Sequence, residues 1–258
     1  MGLPGLTTPQ MAEVDRIMMQ ELRVPVELMM EHAGTNLAKL CVDLTPSGDG
    51  FFRVISGSGN NGGGGIVAAR RLRSWGHDVM IYLPRGRDTL RAVPLEQLQR
   101  AESLGITVVD GLPETSTETP CVVIDAYLGY GYQKKDDHIS ESVFTYLRSE
   151  SKVVSLDVPS GLDSTTGDSD SLFSPYATMT IAFMKTGLLT VPQNLTGALF
   201  IADIGIPMKI YETRLNLSWA PPFSLFSLNS LYLAFSQNSL QRVKVTKGDN
   251  RLAWSVSF

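Results

Sequence analysis

The stretch "FFRVISGSGNNGGGGIVAARRLRSWG", Phe51 to Gly76, decides the fold. An apolar run ends in glycines and two asparagines, and the chain then turns helical. Strand, glycine turn and helix start, in that order, predict the opening unit of a parallel α/β sheet. Such a turn presents free backbone N–H groups and the partial positive charge of a helix N-terminus, which suits an anionic ligand such as a phosphate. Its glycines let a ligand come close to the backbone and permit positive φ.

The alternation continues outward from that unit. "DVMIYLP", "ITVVD", "CVVIDA", "KVVSLDV", "YATMTIAFM" and "GALFIADIG" read as further strands, and "LRAVPLEQLQRAESLG" and "SESVFTYLRSE" as helices between them. The apolar runs are short, continuous and rich in Val and Ile, as buried parallel strands are. The expectation is an α/β fold, a three-layer α/β/α sandwich with a mostly parallel, Rossmann-like sheet. Upstream, Thr7 and Thr8 before Pro9 mark a helix start, and residues 25 to 43 read as a second helix. The alternation stops near Tyr211. One domain is expected over residues 1–210, with residues 211–258 a Ser-, Leu- and Asn-rich tail that the pattern does not assign.

Composition sets the outer bounds. The chain has 258 residues, 43% apolar and 19% charged, as a globular α/β domain does. A formal net charge of -4 argues against nucleic acid or an anionic membrane as partner. Cys41 and Cys121, the only two cysteines, both sit in apolar runs and are expected to be reduced and buried. There is no basic start followed by an apolar core, and Leu6 breaks a myristoylation pattern. Prolines, serines and an asparagine interrupt the most apolar segment, "WAPPFSLFSLNSLYLAF", Trp219 to Phe235. A cytoplasmic location is the expectation.

Ligands of open parallel sheets bind beyond the carboxyl ends of the strands. Besides the glycine stretch Gly57–Gly65, two strand ends are polar: "VVIDAYLGYGYQ" with Asp125, and "VVSLDVPSGLDSTTGD" with Asp157, Ser160 and Asp163. One Asp in such a place is commonly a cap or turn former. Several polar ends together point to a site. Gly57, Gly59 and Gly62 match G-x-G-x-x-G, but the next strand ends in "YLPRGR", with Arg85 and Arg87 where a dinucleotide fold carries its ribose-binding acid. Asp78 lies at the wrong end of that strand, and no G-K-[ST] follows the glycines. Asparagine tolerates the left-handed region, so Asn60 and Asn61 have a turn-forming reading. With Asp125 and Ser160 they also supply amide, carboxylate and hydroxyl oxygens, the donors of a hard-cation site, and the low charge suits a monovalent ion. His32, His77 and His138 are scattered and form no competing cluster. Lys185, in "AFMKTGL", follows a strand, where a phosphate contact and a solvated lysine are both open. Met18, Met19, Met29 and Met30 read as core or dimer contacts, and Trp75 as packing the end of the first crossover helix.

The chain resembles the NAD(P)HX epimerases, the YjeF N-terminal domain family, over roughly residues 7 to 210. The resemblance rests on "MMEHAG", "GSGNNGGGGIVAARRL", "VVIDAYLGYG", "LDVPSGLDSTTG" and "ADIGIP", which occur in the family's order. It implies a Rossmann-like fold, a homodimer, and interconversion of the R and S epimers of hydrated NADH and NADPH. A separate ATP- or ADP-dependent dehydratase then acts on the S epimer. By the same resemblance Asn61, Asp125 and Ser160 are potassium ligands. Substrate contacts fall on Asn60, Asn61, Gly62, Gly63 and Gly64, on Gly129, Tyr130, Gly131, Tyr132, Gln133, Lys134 and Lys135, and on Asp157. Gly64 stands where the family pattern has an aspartate, and His32 where it has an asparagine. "TKGDN", Thr246 to Asn250, is similar to the opening of the dehydratase domain in bifunctional members.

Epimerisation at C6 of the nicotinamide needs the C6–O bond broken and remade, or the ring opened and reclosed, and either route needs a proton donor and acceptor. Asp157, following a buried strand, is the expected catalytic residue, burial raising its pKa. Asp125 is expected to stay ionised at the cation. Two rival readings are a nucleotide-binding or dimerising scaffold with weakened catalysis, and a dehydrogenase whose Arg85 and Arg87 grip a 2′-phosphate.

Overall fold

The computed structural model describes residues 4–45, 51–113, 121–134, 137–217, 232–236 and 239–241. Helix α1 (Thr8–Arg16) opens behind Thr7, whose hydroxyl and amide both bond the Gln10 side chain. It runs on through a π-helical turn, Ile17–Glu21, into α2 (Val26–Asp43). Then follow β1 (Phe51–Ser56), α3 (Asn60–Ser74), β2 (Asp78–Leu83), α4 (Ala92–Ser103), β3 (Thr107–Asp110), β4 (Cys121–Ala126), α5 (His138–Ser149) and β5 (Val153–Leu156). The chain continues as β6 (Ala177–Ile181), α6 (Thr186–Thr190), β7 (Ala198–Ala202), α7 (Met208–Arg214), β8 (Tyr232–Ser236) and β9 (Ser239–Gln241).

The strands form one sheet in the order β3-β2-β1-β4-β5-β6-β7-β8-β9, and β1 to β7 are all parallel. Strand side chains alternate between faces. Phe52 and Val54 of β1 join the core under α2, α3 and α4, whereas Ile55 joins the core under α5. That gives the expected three layers. A third apolar cluster joins α1, α2 and α7 to the segment after β6, through Met11, Val14, Met29, Phe183 and Tyr211. Met18 and Met30 are buried too, while Met19 is exposed. Cys41 is a buried free thiol, and burial pushes its pKa up. No helix among the described residues is long and apolar enough to cross a membrane.

The tail without a pattern contributes two strands. β8 runs antiparallel to β7, and β9 antiparallel to β8. A hairpin at a sheet edge carries no crossover helix, so the strand–helix rhythm that marks the rest of the chain is absent there. "TKGDN" lies outside the described residues. Trp75 stands at the C-terminal end of α3, half-exposed.

Candidate functional site

The strand order reverses between β1 and β4, since β2 and β3 lie on one side of β1 and β4 to β7 on the other. At such a switch point the two connections diverge and open a crevice beyond the strand ends. Register aligns Ser56 with Ala126 across β1 and β4, and Asp125 with Ser155 across β4 and β5. The polar residues picked out along the sequence therefore converge there.

The glycine stretch is helical earlier than its composition suggests. Helix α3 starts at Asn60 with Gly59 as N-cap, so Asn60 to Gly65 form its first turns instead of a loop. Close packing explains this. A Cβ on Gly62 would lie 1.9 Å from the Gly57 carbonyl oxygen, and one on Gly65 2.4 Å from Ala126 Cβ. A Cβ on Gly57 would lie 1.8 Å from the Tyr127 carbonyl oxygen. The tight fit against sheet and loop outweighs the roughly 1 kcal/mol by which each glycine disfavours a helix. Gly63 lies against Met30 and Gly64 against Leu156, both buried. Gly62, Gly63 and Gly64 are thus packing positions, while exposed Asn60 and half-buried Asn61 form the helix mouth.

Asp125 ends β4 fully buried. Its Oδ1 accepts from Ser160 Oγ at 2.5 Å and from Tyr127 N at 3.3 Å. Its Oδ2 accepts from Ser155 Oγ and Ser160 N, each at 2.9 Å. Burial pushes the Asp125 pKa up, opposed by these donors. No basic side chain among the described residues pairs with it. Ser160 Oγ also accepts from Leu128 N at 2.8 Å, and Asn61 Nδ2 donates to the Leu128 carbonyl at 2.9 Å. The structure thus brings Asn61, Asp125 and Ser160 together around the Leu128 turn. Among the described residues no group of three His, Cys, Asp or Glu side chains could hold a metal.

Asp157 follows β5 at 1% exposure, with φ of 72°. The left-handed region costs a residue with a Cβ about 1–2 kcal/mol, so the surroundings must hold it. Its amide donates to Met179 O at 2.8 Å, and its Oδ2 accepts from Tyr130 N at 2.7 Å. Its Oδ1 lies 2.6 Å from Lys185 Nζ, and Lys185 is 0% exposed. The ammonium also donates to the Ile181 carbonyl at 2.7 Å. Lys185 is therefore neither solvated nor a free phosphate ligand, and Asp157 is one half of a buried ion pair instead of a lone buried acid. Gly129 sits between Asn61 and Asp157: a Cβ there would lie 3.0 Å from Asn61 Cγ and 3.1 Å from Asp157 Oδ2.

Past Gly129, the Tyr130 hydroxyl donates to Asp15 Oδ2 at 2.6 Å, joining the site to α1. Burial, then Asp15, raises the Tyr130 pKa, and burial likewise raises that of Asp15. Gly131, Gln133 and Lys134 are exposed. Tyr132 donates to Asp170 at 2.9 Å, Lys134 pairs with the same carboxylate, and Lys135 lies outside the described residues. Asp163 is a turn former, its Oδ1 accepting from Thr165 N and Thr166 N at 2.8 Å each. Arg85 is taken by Asp137 and Ser140, and Arg87 by Glu102 and Asp110. His32 is exposed, and His77 stacks edge-on with Phe52. The sequence reading passed over Ser155 and Asp15, and considered Lys185 only as a phosphate contact or a solvated lysine. Lys185 carries the signal that marked Asp125 and Asp157, a charge just past an apolar strand run, but Asp15 carries none.

The family model described as "YjeF-related protein N-terminus" matches residues 26–187. The chain is 38% identical over 228 residues to a protein of Dehalogenimonas lykanthroporepellens named NAD(P)H-hydrate epimerase, covering 86% of this chain and 90% of that one. It is 30% identical to a protein of the same name from Rhodopirellula baltica, covering 81% and 87%. A bifunctional NAD(P)H-hydrate repair enzyme of Thermofilum pendens is 33% identical over 82% of this chain and 42% of its own length. The crystal structure of the yeast protein ynu0 superposes with a TM-score of 0.76 at 20% identity, covering 90% of this chain and 100% of that one, which shows a shared fold.

Proposed function

We propose, from the premise that the chain belongs to the YjeF-related N-terminus family, that it is an NAD(P)H-hydrate epimerase acting in nicotinamide nucleotide repair. One observation carries the reading: a buried Asp157–Lys185 ion pair at a strand end, beside a glycine-packed helix N-terminus at the sheet's switch point. The helix N-terminus suits the pyrophosphate of a dinucleotide. The pair supplies a carboxylate and an ammonium for proton transfer at the C6 hydroxyl. Asp157 is the catalytic residue of this reading. A proton lent to the departing hydroxyl oxygen releases water and leaves a cationic ring. Water then adds to the opposite face and returns the proton, so no electrons or co-reactant are consumed.

Asn61, Asp125 and Ser160 would hold a potassium ion. What supports this is the fully buried Asp125 carboxylate, which has hydroxyl and amide donors but no basic partner among the described residues. A monovalent cation would balance that charge and tie the ends of β4 and β5 together. The substrate contacts proposed are Asn60 and Asn61 at the helix mouth, with Gly62, Gly63 and Gly64 packed behind them, and Gly129 to Lys135. A homodimer belongs to the same reading, supported by exposed Met19 in the π-helical turn, Leu22 just after it and Leu28 in α2. A dehydratase acting on the S epimer is the functional partner proposed.

The test is a coupled assay. An S-specific dehydratase with ATP is given mixed R and S epimers of NADHX, with and without this chain, in potassium buffer. Faster consumption of the R fraction is expected. Consumption at the spontaneous rate would leave the scaffold reading, to be checked by nucleotide titration.

A further inference from the structure

Asp157 stands in a strained conformation and depends on two contacts, the Tyr130 amide and the Lys185 ammonium. One segment braces both. Leu6 pairs with the backbone around Lys185: its amide donates to Met184 O at 2.8 Å and its carbonyl accepts from Thr186 N at 3.0 Å. Leu6 is fully buried there. Two residues later α1 begins, and it grips Tyr130 at both ends. The Thr8 hydroxyl lies 3.4 Å from the Tyr130 carbonyl and 2.7 Å from Ser164 Oγ, which donates to that carbonyl at 3.0 Å. Further along the helix, Asp15 receives the Tyr130 hydroxyl at 2.6 Å. Tyr130 is thus held by its hydroxyl and its carbonyl while its amide holds Asp157.

We propose that Asp15 is a positioning residue of the site, which through the Tyr130 hydroxyl fixes the turn after β4 so that the Tyr130 amide holds the Asp157 carboxylate. Asp15 lies outside residues 26–187, the segment that the family model matches. A carboxylate that only solubilised α1 would point to water, whereas this one is turned toward a half-buried phenol. Holding a strained residue in one geometry takes contacts that over-determine it. The brace meets that need, and small displacements of a reacting group cost rate steeply.

The inference rests on the epimerase reading, and kinetics with the R epimer separate the two. Asp15→Ala and Tyr130→Phe are each expected to lower kcat about tenfold with KM within about twofold, because the change falls on the carboxylate geometry. The double variant should fall no further than either single. Asp15→Asn keeps an acceptor oxygen and should restore most of the rate. In an Asp157→Asn background, Asp15→Ala should leave the residual rate unchanged. Tyr130→Phe removes one oxygen and leaves α1 intact, so it tests the brace even where Asp15→Ala fails to fold. An active wild type with Tyr130→Phe or a folded Asp15→Ala at the wild-type kcat overturns the brace alone. A wild type that does not speed R-epimer consumption overturns the epimerase reading and the brace with it.

Discussion

Replacing Lys185 by methionine removes the positive half of a fully buried ion pair while keeping an unbranched side chain of similar volume. Asp157 is then left without its counter-charge. Breaking a buried pair from one side costs about 3–5 kcal/mol, and losing the bond to the Ile181 carbonyl adds about 1 kcal/mol. Protonation limits the loss. Taking up a proton at pH 7.5 from an unfolded pKa of about 3.9 costs about 5 kcal/mol, which caps the penalty. Without Lys185 the buried carboxylate has no counter-charge, and the loss of stability is expected to be larger at neutral pH than in acid. At pH 5.5 the cap falls to about 2 kcal/mol. Denaturant unfolding of Lys185→Met at the two pH values reads this directly. Adding Asp157→Asn removes the stranded charge and should bring stability at pH 7.5 back to within about 2 kcal/mol of wild type. A loss below about 1 kcal/mol at pH 7.5, or one that does not shrink in acid, would refute the buried-pair argument.

Further outcomes follow from the same geometry. Potassium at 100 times its Kd should stabilise the protein by about 2.7 kcal/mol, roughly 5–10 °C in Tm, over a tetramethylammonium control. Asp125→Asn should abolish that difference, and a wild type indifferent to potassium would count against the cation site. Gly64→Ala should lie within about 1 kcal/mol of wild type, since the helix gain offsets a contact with the terminal Leu156 Cδ2, which can move. Gly65→Ala should cost about 2 kcal/mol or more, because Ala126 Cβ at 2.4 Å is fixed to a strand. Equal thermal stability of the two variants would show that the backbone fit was misread. Glu31 ties α2 to α3 through Arg70 and Arg71 at 2.5 and 2.8 Å. Burial pushes its pKa up, but the arginines more than offset that and hold it low. Its contribution, about 1 kcal/mol given its partial exposure, is present above an unfolded pKa of about 4.3 and lost as pH falls through the lower folded value. Glu31→Gln should therefore be less stable than wild type at pH 7, with the gap closing in acid.

The parallel sheet was legible because its strands are buried on both faces and so appear as unbroken apolar runs. Asp125, Ser160 and Asp157 were legible for a related reason: a polar residue interrupting such a run has no packing purpose. The same logic failed for Lys185 because lysine is so commonly solvated that a strand-end lysine invites that explanation. What a sequence does not display is whether a complementary charge waits at another strand end. Asp15 was invisible in a stronger sense. It lies on an amphipathic helix where acids are ordinary, and only the folded path from Leu6 to α1 brings it to Tyr130. The edge hairpin of β8 and β9 was hidden because its pairing needs no helix between strands.

The charges of the site argue for the cation from another direction. Asp15 and Asp157 both bond Tyr130, Asp125 ends the neighbouring strand, and Lys185 is the one basic side chain paired with any of the three among the described residues. Each carboxylate removed from water needs a compensating charge or a proton. Asp157 has Lys185. Asp15 has a phenol that donates to it, and burial raises its pKa as it raises that of Asp125. Asp125 has only neutral donors, and it is the most deeply buried of the three. On the cation proposal, a monovalent ion would complete a neutral set, whereas a divalent one would leave an excess positive charge. The nearby basic side chains Arg85, Arg87 and Lys134 are already held by carboxylates. An anionic dinucleotide would then depend on the backbone amides at the start of α3, the arrangement that a run of closely packed glycines provides.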